Sequence, residues 1–409
     1  MHSLTETTPL TPAITSARLA RAVLGYFTLN IAIITLAPFR FALAPVNGLT
    51  SIFGMRDALL NVVLFLPLGF VFQLSRPRRE EPRWLTAFGA GLVLSGLIET
   101  AQVFAPGRYP SVSDLGTNAL GAALGAWMGA LAVQRTDESR TFRAFALDLP
   151  LVGLTYLLLP VLWLTGLSAA EGATWAVLLP LISAAWIMGS VHASYGSPVP
   201  TEAERDRVLR LWSGAALFIL VGVVPAALAD LRLMLAGAFL FAAFITLRLV
   251  APAAWTIGRM PDGSVSRRFE GPTLRVALAP LICFVVVLSL SPVVGPFDGW
   301  QGTWALTRGR DVPTDAALYR AMAVLAAYTA IGYGIAATNG RRVESLRGLA
   351  QRAFGWSLLL AAPVEWFRGW GESTAASATM LAMTSIAAVI GAGIYQLQLR
   401  HIQTLLGRR

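Results

Sequence analysis

Apolar runs of about 20 residues follow one another along the whole chain, separated by short segments rich in proline, glycine and arginine. Twelve such runs can be marked out, at about 22–44, 57–75, 84–104, 115–134, 146–167, 172–194, 211–229, 233–250, 275–295, 316–337, 350–367 and 376–398. In hydrocarbon a backbone can satisfy its own hydrogen bonds only as a helix or in a closed barrel. A barrel would show alternating strands of about ten residues, and none is seen. The pattern therefore predicts an all-α, polytopic membrane protein of about twelve transmembrane helices. At about 20 residues each the spans take up roughly 240 positions, so no loop is long enough for a separate folded domain.

Composition narrows the class further. Of the 409 residues, 56% are hydrophobic and only 13% are charged, against about 25% charged in a soluble domain. The net charge of +10 does not point to nucleic acid, because the cations cluster between apolar runs, where membrane topology puts them. If the N-terminus is cytoplasmic, 24 of the 32 basic residues fall on the cytoplasmic side. That asymmetry predicts both termini inside. All 32 basic residues are arginine, which excludes a Schiff-base, general-base or Walker lysine. Cys283 is the single cysteine; it forms no internal disulfide and reads as a small core residue. His2, His192 and His401 are scattered, so no metal site and no cofactor are expected. The tail MHSLTETTPLTPAITSARLAR lacks a short apolar core and a cleavage site, and reads as an uncleaved cytoplasmic segment.

Spans nine to twelve look like a faded copy of spans one to four. TLAPF (35–39) resembles SLSPV (289–293), and MRDALLNVVLFLPLGFVFQLSRPRR (55–79) resembles YRAMAVLAAYTAIGYGIAATNGRR (319–342). AFGAGLVLSGLIETAQVF (87–104) resembles AFGWSLLLAAPVEWFRGW (353–370), with a glutamate near the end of each. The expected organisation is a cytoplasmic tail (1–21), a four-helix unit (22–135), a central four-helix region (146–250), a degenerate repeat (275–398) and a second cytoplasmic tail (399–409). The second copy keeps Glu365 but has Arg368 in place of Gln102, and lacks counterparts of Asp114 and Asn118. Chemistry, if present, is expected in the first copy.

Polar groups inside spans are costly and usually face the bundle interior or a wet cavity. Glu99 and Gln102 share a helix face, as do Asp114 and Asn118. Arg108 follows a tight Pro-Gly turn. In the predicted topology these residues, with Arg40 at the end of span one and Asn61 in span two, all lie toward the extracytoplasmic end. Glu99 reads as an ion-pair partner of Arg108 or Arg40, as a catalytic or ligand-binding carboxylate, or as a span-end carboxylate in water. Asp114 is a second catalytic candidate or a helix-start residue. Arg40, Asn61, Gln102, Arg108 and Asn118 are candidate substrate-binding residues, Arg108 for a phosphate or headgroup or as an interface anchor. Pro67 and Gly69 in FLPLGF, and the stripe Gly121, Gly125 and Gly129, read as helix-packing positions.

N-x-x-x-F-x-P-x-G (Asn61, Phe65, Pro67, Gly69), E-x-x-Q (Glu99, Gln102), G-R and D-x-x-x-N-x-x-G-x-x-x-G (Asp114, Asn118, Gly121, Gly125) together resemble the VanZ-like family of bacterial membrane proteins. The likeness covers roughly residues 20–135. It implies a multi-pass protein of the bacterial cytoplasmic membrane linked to the cell envelope, and the family's founding member raises tolerance to the glycopeptide teicoplanin. The expected partners are membrane lipids, with a lipid-linked glycan or glycopeptide as the candidate ligand; no nucleic acid is expected. The function expected is binding or processing of a lipid-linked glycan or lipid headgroup at an extracytoplasmic polar site. The alternatives are a secondary transporter and a membrane scaffold for envelope assembly.

Overall fold

The computed structural model describes residues 12–50, 54–76, 81–134, 140–168, 174–195, 202–250, 270–291, 299–305, 314–338, 345–371 and 374–405. The tail through residue 11, part of SLSPV, and the arginine pairs at 78–79, 267–268 and 341–342 lie outside the described residues. The described chain forms twelve long helices: α1 Pro12–Leu36, α2 Met55–Leu74, α3 Trp84–Val103, α4 Val112–Gln134, α5 Arg140–Leu167 and α6 Leu178–Tyr195, then α7 Glu202–Ala229, α8 Leu231–Val250, α9 Glu270–Leu290, α10 Asp315–Thr338, α11 Leu346–Arg368 and α12 Ala378–Leu405. The protein is all-α and polytopic. Six helices (α1, α2, α3, α9, α10 and α12) are long and apolar enough to cross a membrane by length and composition. Shorter apolar stretches lie in α5, in α6 with the turn before it, in α7 and in α8.

The first helix differs from its sequence-based bounds. It starts at Pro12, a residue pre-set for the first helical turn, and stops at Leu36. Pro38 and Pro45 end the run, and Arg40 lies beyond the helix in an exposed segment. Cys283 is not a core residue: it is exposed on α9. Hydrophobicity cannot separate a core face from a lipid face when both surroundings are apolar.

Between α2 and α4 the backbones come into contact. A Cβ placed on Gly69 would fall on the Ala122 carbonyl, one on Gly121 on the Val62 carbonyl, and one on Gly125 on the Leu66 carbonyl. At Gly129 it would lie 3.1 Å from the Phe70 carbonyl oxygen. In lipid, close backbone packing replaces the hydrophobic drive between helices, and only glycine permits this crossing. Pro67, on α2, instead lines a small recess with Asn30, Leu159 and Trp163 of α1 and α5.

The α2–α4 crossing recurs in α10 and α12 at matching positions. Gly332 faces the Ala388 carbonyl as Gly69 faces Ala122, and Gly391 faces the Thr329 carbonyl as Gly125 faces Leu66. These contacts place Asp57, not Arg56, opposite Arg320. The backbone between the last two helices is pinned alike in both sets. Asn47 N donates to Val103 O at 3.1 Å, and Gln301 N to Gly369 O at 2.7 Å. Thr50 bridges to Ser111 in parallel, and β1 (Gly302–Thr303) pairs in parallel with β2 (Ala376–Ser377). Helix α5 packs against α6, α7, α10 and α12, and α1 packs against α12. The central helices are tied by apolar contact and by single polar bonds such as Trp163 Nε1 to Val221 O at 2.7 Å.

Candidate functional site

The turn between α3 and α4 builds the site. Helix α3 ends at Val103, and Gly107 takes a φ of 80° that glycine accepts without strain. The chain then doubles back so that α4 starts beside the end of α3. Glu99, one turn from the end of α3, reaches across: its Oε2 accepts the Ser111 backbone N–H at 2.8 Å. A carboxylate at a helix N-terminus satisfies a free backbone donor and suits the helix dipole. The turn is fixed from outside by the loop after α1. Thr50 N donates to Pro110 O at 2.9 Å and Val112 N to Thr50 O at 3.0 Å, while Asn47 Nδ2 donates to Ala105 O at 2.8 Å.

Below Glu99 a cluster of buried polar side chains, termed the pit, is packed between α2, α3 and α4. Asn118 Nδ2 donates to Ser95 Oγ at 2.9 Å, and Ser95 is one helical turn before Glu99. Ser113 Oγ lies 3.4 Å from Asp114 Oδ1 and 2.7 Å from Ser111 Oγ. Asn61 of α2 faces the Asp114 carboxylate with its Nδ2 outside hydrogen-bond geometry, and Asn118 Oδ1 is buried without a donor. Ser95, Glu99 and Asn118 are 0%, 4% and 2% exposed. Among the described residues Glu99 has no ion pair, and its Oε1 has no hydrogen-bond donor. The pit therefore holds two carboxylates and a free amide oxygen, with no cation of its own. Among the described residues no three His, Cys, Asp or Glu side chains come together.

The remaining candidates go elsewhere. Gln102 Nε2 turns to the Thr35 carbonyl of α1 at 2.9 Å. Arg108 is not the partner of Glu99. Its Nη2 donates to the Ala37 carbonyl, lies 3.2 Å from the Tyr319 hydroxyl and pairs with Asp315 at 3.4 Å. Tyr319 in turn donates to Ile34 O at 2.8 Å. This clasp fastens the end of α1 and the α3–α4 turn to the start of α10. The single patch expected from helix depth is thus two arrangements, a pit and a clasp, with Arg40 exposed beyond α1. Ser95 and Ser111 belong to the pit and were not among the expected residues. Ser95 could have been found, since it stands four residues from Glu99 on the same helix face. Ser111 acts through its backbone, which no side-chain pattern marks.

Helices α11 and α12 provide an internal comparison. Ser377 N donates to Glu365 Oε2 at 2.8 Å, as Ser111 N does to Glu99. Here the second carboxylate oxygen is occupied: Arg368 Nη1 lies 2.8 Å from Glu365 Oε1. By the helix registers above, Val324, Ala361, Met380 and Thr384 stand where the pit has Asn61, Ser95, Asp114 and Asn118, and all four are buried. The same backbone plan is polar with an unpaired carboxylate in one set of helices; in the other it carries three apolar residues, a threonine whose hydroxyl bonds Leu381 O, and a paired carboxylate.

The sequence model of the family described as VanZ/LLP1 matches residues 13–133, which takes in α1 to α4 and the whole pit. No curated protein and no solved structure matches the chain.

Proposed function

From the premise that residues 13–133 form a VanZ-like unit in a polytopic membrane protein, we propose that this unit acts at the bacterial cell envelope by binding or processing the headgroup of a membrane lipid or lipid-linked glycan. The pit between α2, α3 and α4 is the site. One observation carries the reading: Glu99 is buried beside Asp114 and Asn118 with no cation among the described residues. Uncompensated ionisable groups in membrane segments are costly and mark functional sites. The arginine distribution supports a pit toward the extracytoplasmic face of the bacterial inner membrane, where lipid-linked glycans and glycopeptides meet the membrane. Glu99 and Asp114 are its acid–base or ligand-binding groups, and Asn61, Ser95 and Asn118 line it. Arg108 and Gln102 hold the unit together rather than contact the ligand. Helices α9–α12 are a diverged copy that has given up the site.

The test compares a deletion strain complemented with wild type or with Glu99→Gln at matched expression. Glycopeptide susceptibility and the profile of lipids and lipid-linked glycans are read together. The Glu99→Gln strain is expected to match the uncomplemented deletion and to accumulate the same species. A Glu99→Gln strain that matches wild type in both readouts removes the pit as the site.

A further inference from the structure

In the second set of helices the place of a bound cation is already filled. Glu365 holds a backbone N–H on Oε2 and the Arg368 guanidinium on Oε1. In the first set Glu99 holds the matching N–H, but the arginine's position is Gln102, which faces away to Thr35. We propose that the Glu99 pit takes the protonated primary amine of a lipid headgroup, of the ethanolamine type, where the second set holds the Arg368 guanidinium. This rests on the headgroup reading above and narrows it to one chemistry.

The free groups of the pit fit that ligand. Glu99 Oε1 and Asn118 Oδ1 are acceptors without a donor, and the Asp114 carboxylate beside them, contacted by Ser113 Oγ, adds negative charge. Asn118 is 2% exposed, with its Nδ2 engaged by Ser95, so its Oδ1 is left without a donor. A primary ammonium offers three N–H donors and a positive charge, which suits a cluster of acceptors of this kind. A choline headgroup carries the charge without any N–H, and a glycerol headgroup carries neither charge nor N–H.

The full chain, purified and placed in nanodiscs of phosphatidylcholine, is titrated with short-chain phosphatidylethanolamine, phosphatidylglycerol and phosphatidylcholine, with free O-phosphoethanolamine and with Mg²⁺. The wild type is expected to bind the ethanolamine lipid roughly ten- to a hundred-fold more tightly than the other two, the loss that goes with one charge-assisted hydrogen bond. Glu99→Gln abolishes the preference. Gln102→Arg, which keeps the carboxylate and sets an arginine where Arg368 stands, abolishes it as well while the protein unfolds at or above the wild-type temperature. Competition by free O-phosphoethanolamine at the affinity of the lipid assigns the amine to a soluble source and overturns the lipid assignment. Glu99-dependent binding of the glycerol lipid, of the choline lipid or of Mg²⁺ alone overturns the amine assignment while leaving a site at Glu99. Binding of all lipids that is indifferent to Glu99→Gln and Gln102→Arg overturns both the amine assignment and the headgroup reading.

Discussion

Replacing Gly125 with alanine tests the crossing on which the pit depends. A Cβ at this position falls on the Leu66 carbonyl oxygen and lies 2.8 Å from Phe70 N. Both neighbours are backbone of α2, so no side-chain rotation relieves the contact. Ordinary van der Waals distance requires α2 and α4 to move apart by about 1 Å or more. Overpacking of this kind costs about 1–3 kcal/mol. Alanine also gains about 1 kcal/mol over glycine in a helix interior, and that gain acts alone at Gly116 of the same helix, where a Cβ meets nothing within 4 Å. Gly125→Ala makes the same propensity gain, which cancels in the comparison, so the two substitutions should differ by about 1–3 kcal/mol. Gly391→Ala and Gly393→Ala in α12 form a second pair on the same grounds: the first meets the Thr329 carbonyl, the second open space. Thermal unfolding in detergent, followed by tryptophan fluorescence and by loss of the monodisperse elution peak, reads the order. Gly116→Ala and Gly393→Ala should unfold at or above the wild-type temperature, with Gly125→Ala and Gly391→Ala several degrees below. If Gly125→Ala proves as stable as Gly116→Ala, the helices are not in backbone contact there and the register that aligns the two sets of helices is wrong.

Arg368→Ala leaves the Glu365 carboxylate, whose side chain is 9% exposed, without its cation, and should cost about 3–5 kcal/mol. Gln102→Ala, which loses one hydrogen bond to Thr35 O, should cost about 1 kcal/mol, and a reversed order in thermal unfolding would refute the comparison of the two carboxylates. In the clasp, Asp315 is half exposed, so Asp315→Asn should cost under about 1 kcal/mol. Tyr319→Phe, which removes the buried bond to Ile34 O, should cost about 1 kcal/mol, and Arg108→Ala more than either; equal, negligible effects of all three would mean that the clasp does not hold the two sets together. Cys283, exposed on α9, should react with a lipid-soluble maleimide in intact membranes and resist a charged thiol reagent; protection from both would place it in the core.

The helical plan was legible because a membrane leaves the backbone few choices. Each of the twelve apolar runs falls on a helix, in order. The ends were less legible: α1 yields to Pro38 rather than continuing to residue 44, since one proline outweighs an apolar run around it. The apolar pattern could not tell which face meets protein, as Cys283 demonstrates. The polar residues were legible as a set but not as a geometry. Depth along each helix put Glu99, Arg108, Asp114 and Asn118 at one level, whereas rotation about the helix axis and distant partners decide what they touch. Arg108 takes Asp315 and Tyr319, which stand some two hundred positions further along the chain, and no local spacing announces such a pair.

The paired helices also separate what the fold requires from what it merely tolerates. Helices α9–α12 keep the glycine crossing, the parallel bridge at the turn and the glutamate held on a backbone N–H. They do so with Val324, Ala361, Met380 and Thr384 buried in the place of the pit. The backbone arrangement therefore forms without Asn61, Ser95, Asp114 and Asn118. Those four groups carry the desolvation cost of buried polar atoms, and two of them have an atom with no hydrogen-bond partner. A local geometry that three apolar residues and one self-satisfied threonine can build does not call for a costlier polar set on structural grounds. Glu99 differs from the four, since its counterpart is retained, and its contact with the next helix start is structural in both sets. What distinguishes it is the missing arginine: the same carboxylate is closed by Arg368 in one place and left open in the other. The function of the pit is therefore best sought in what satisfies Glu99 Oε1, rather than in the presence of a glutamate as such.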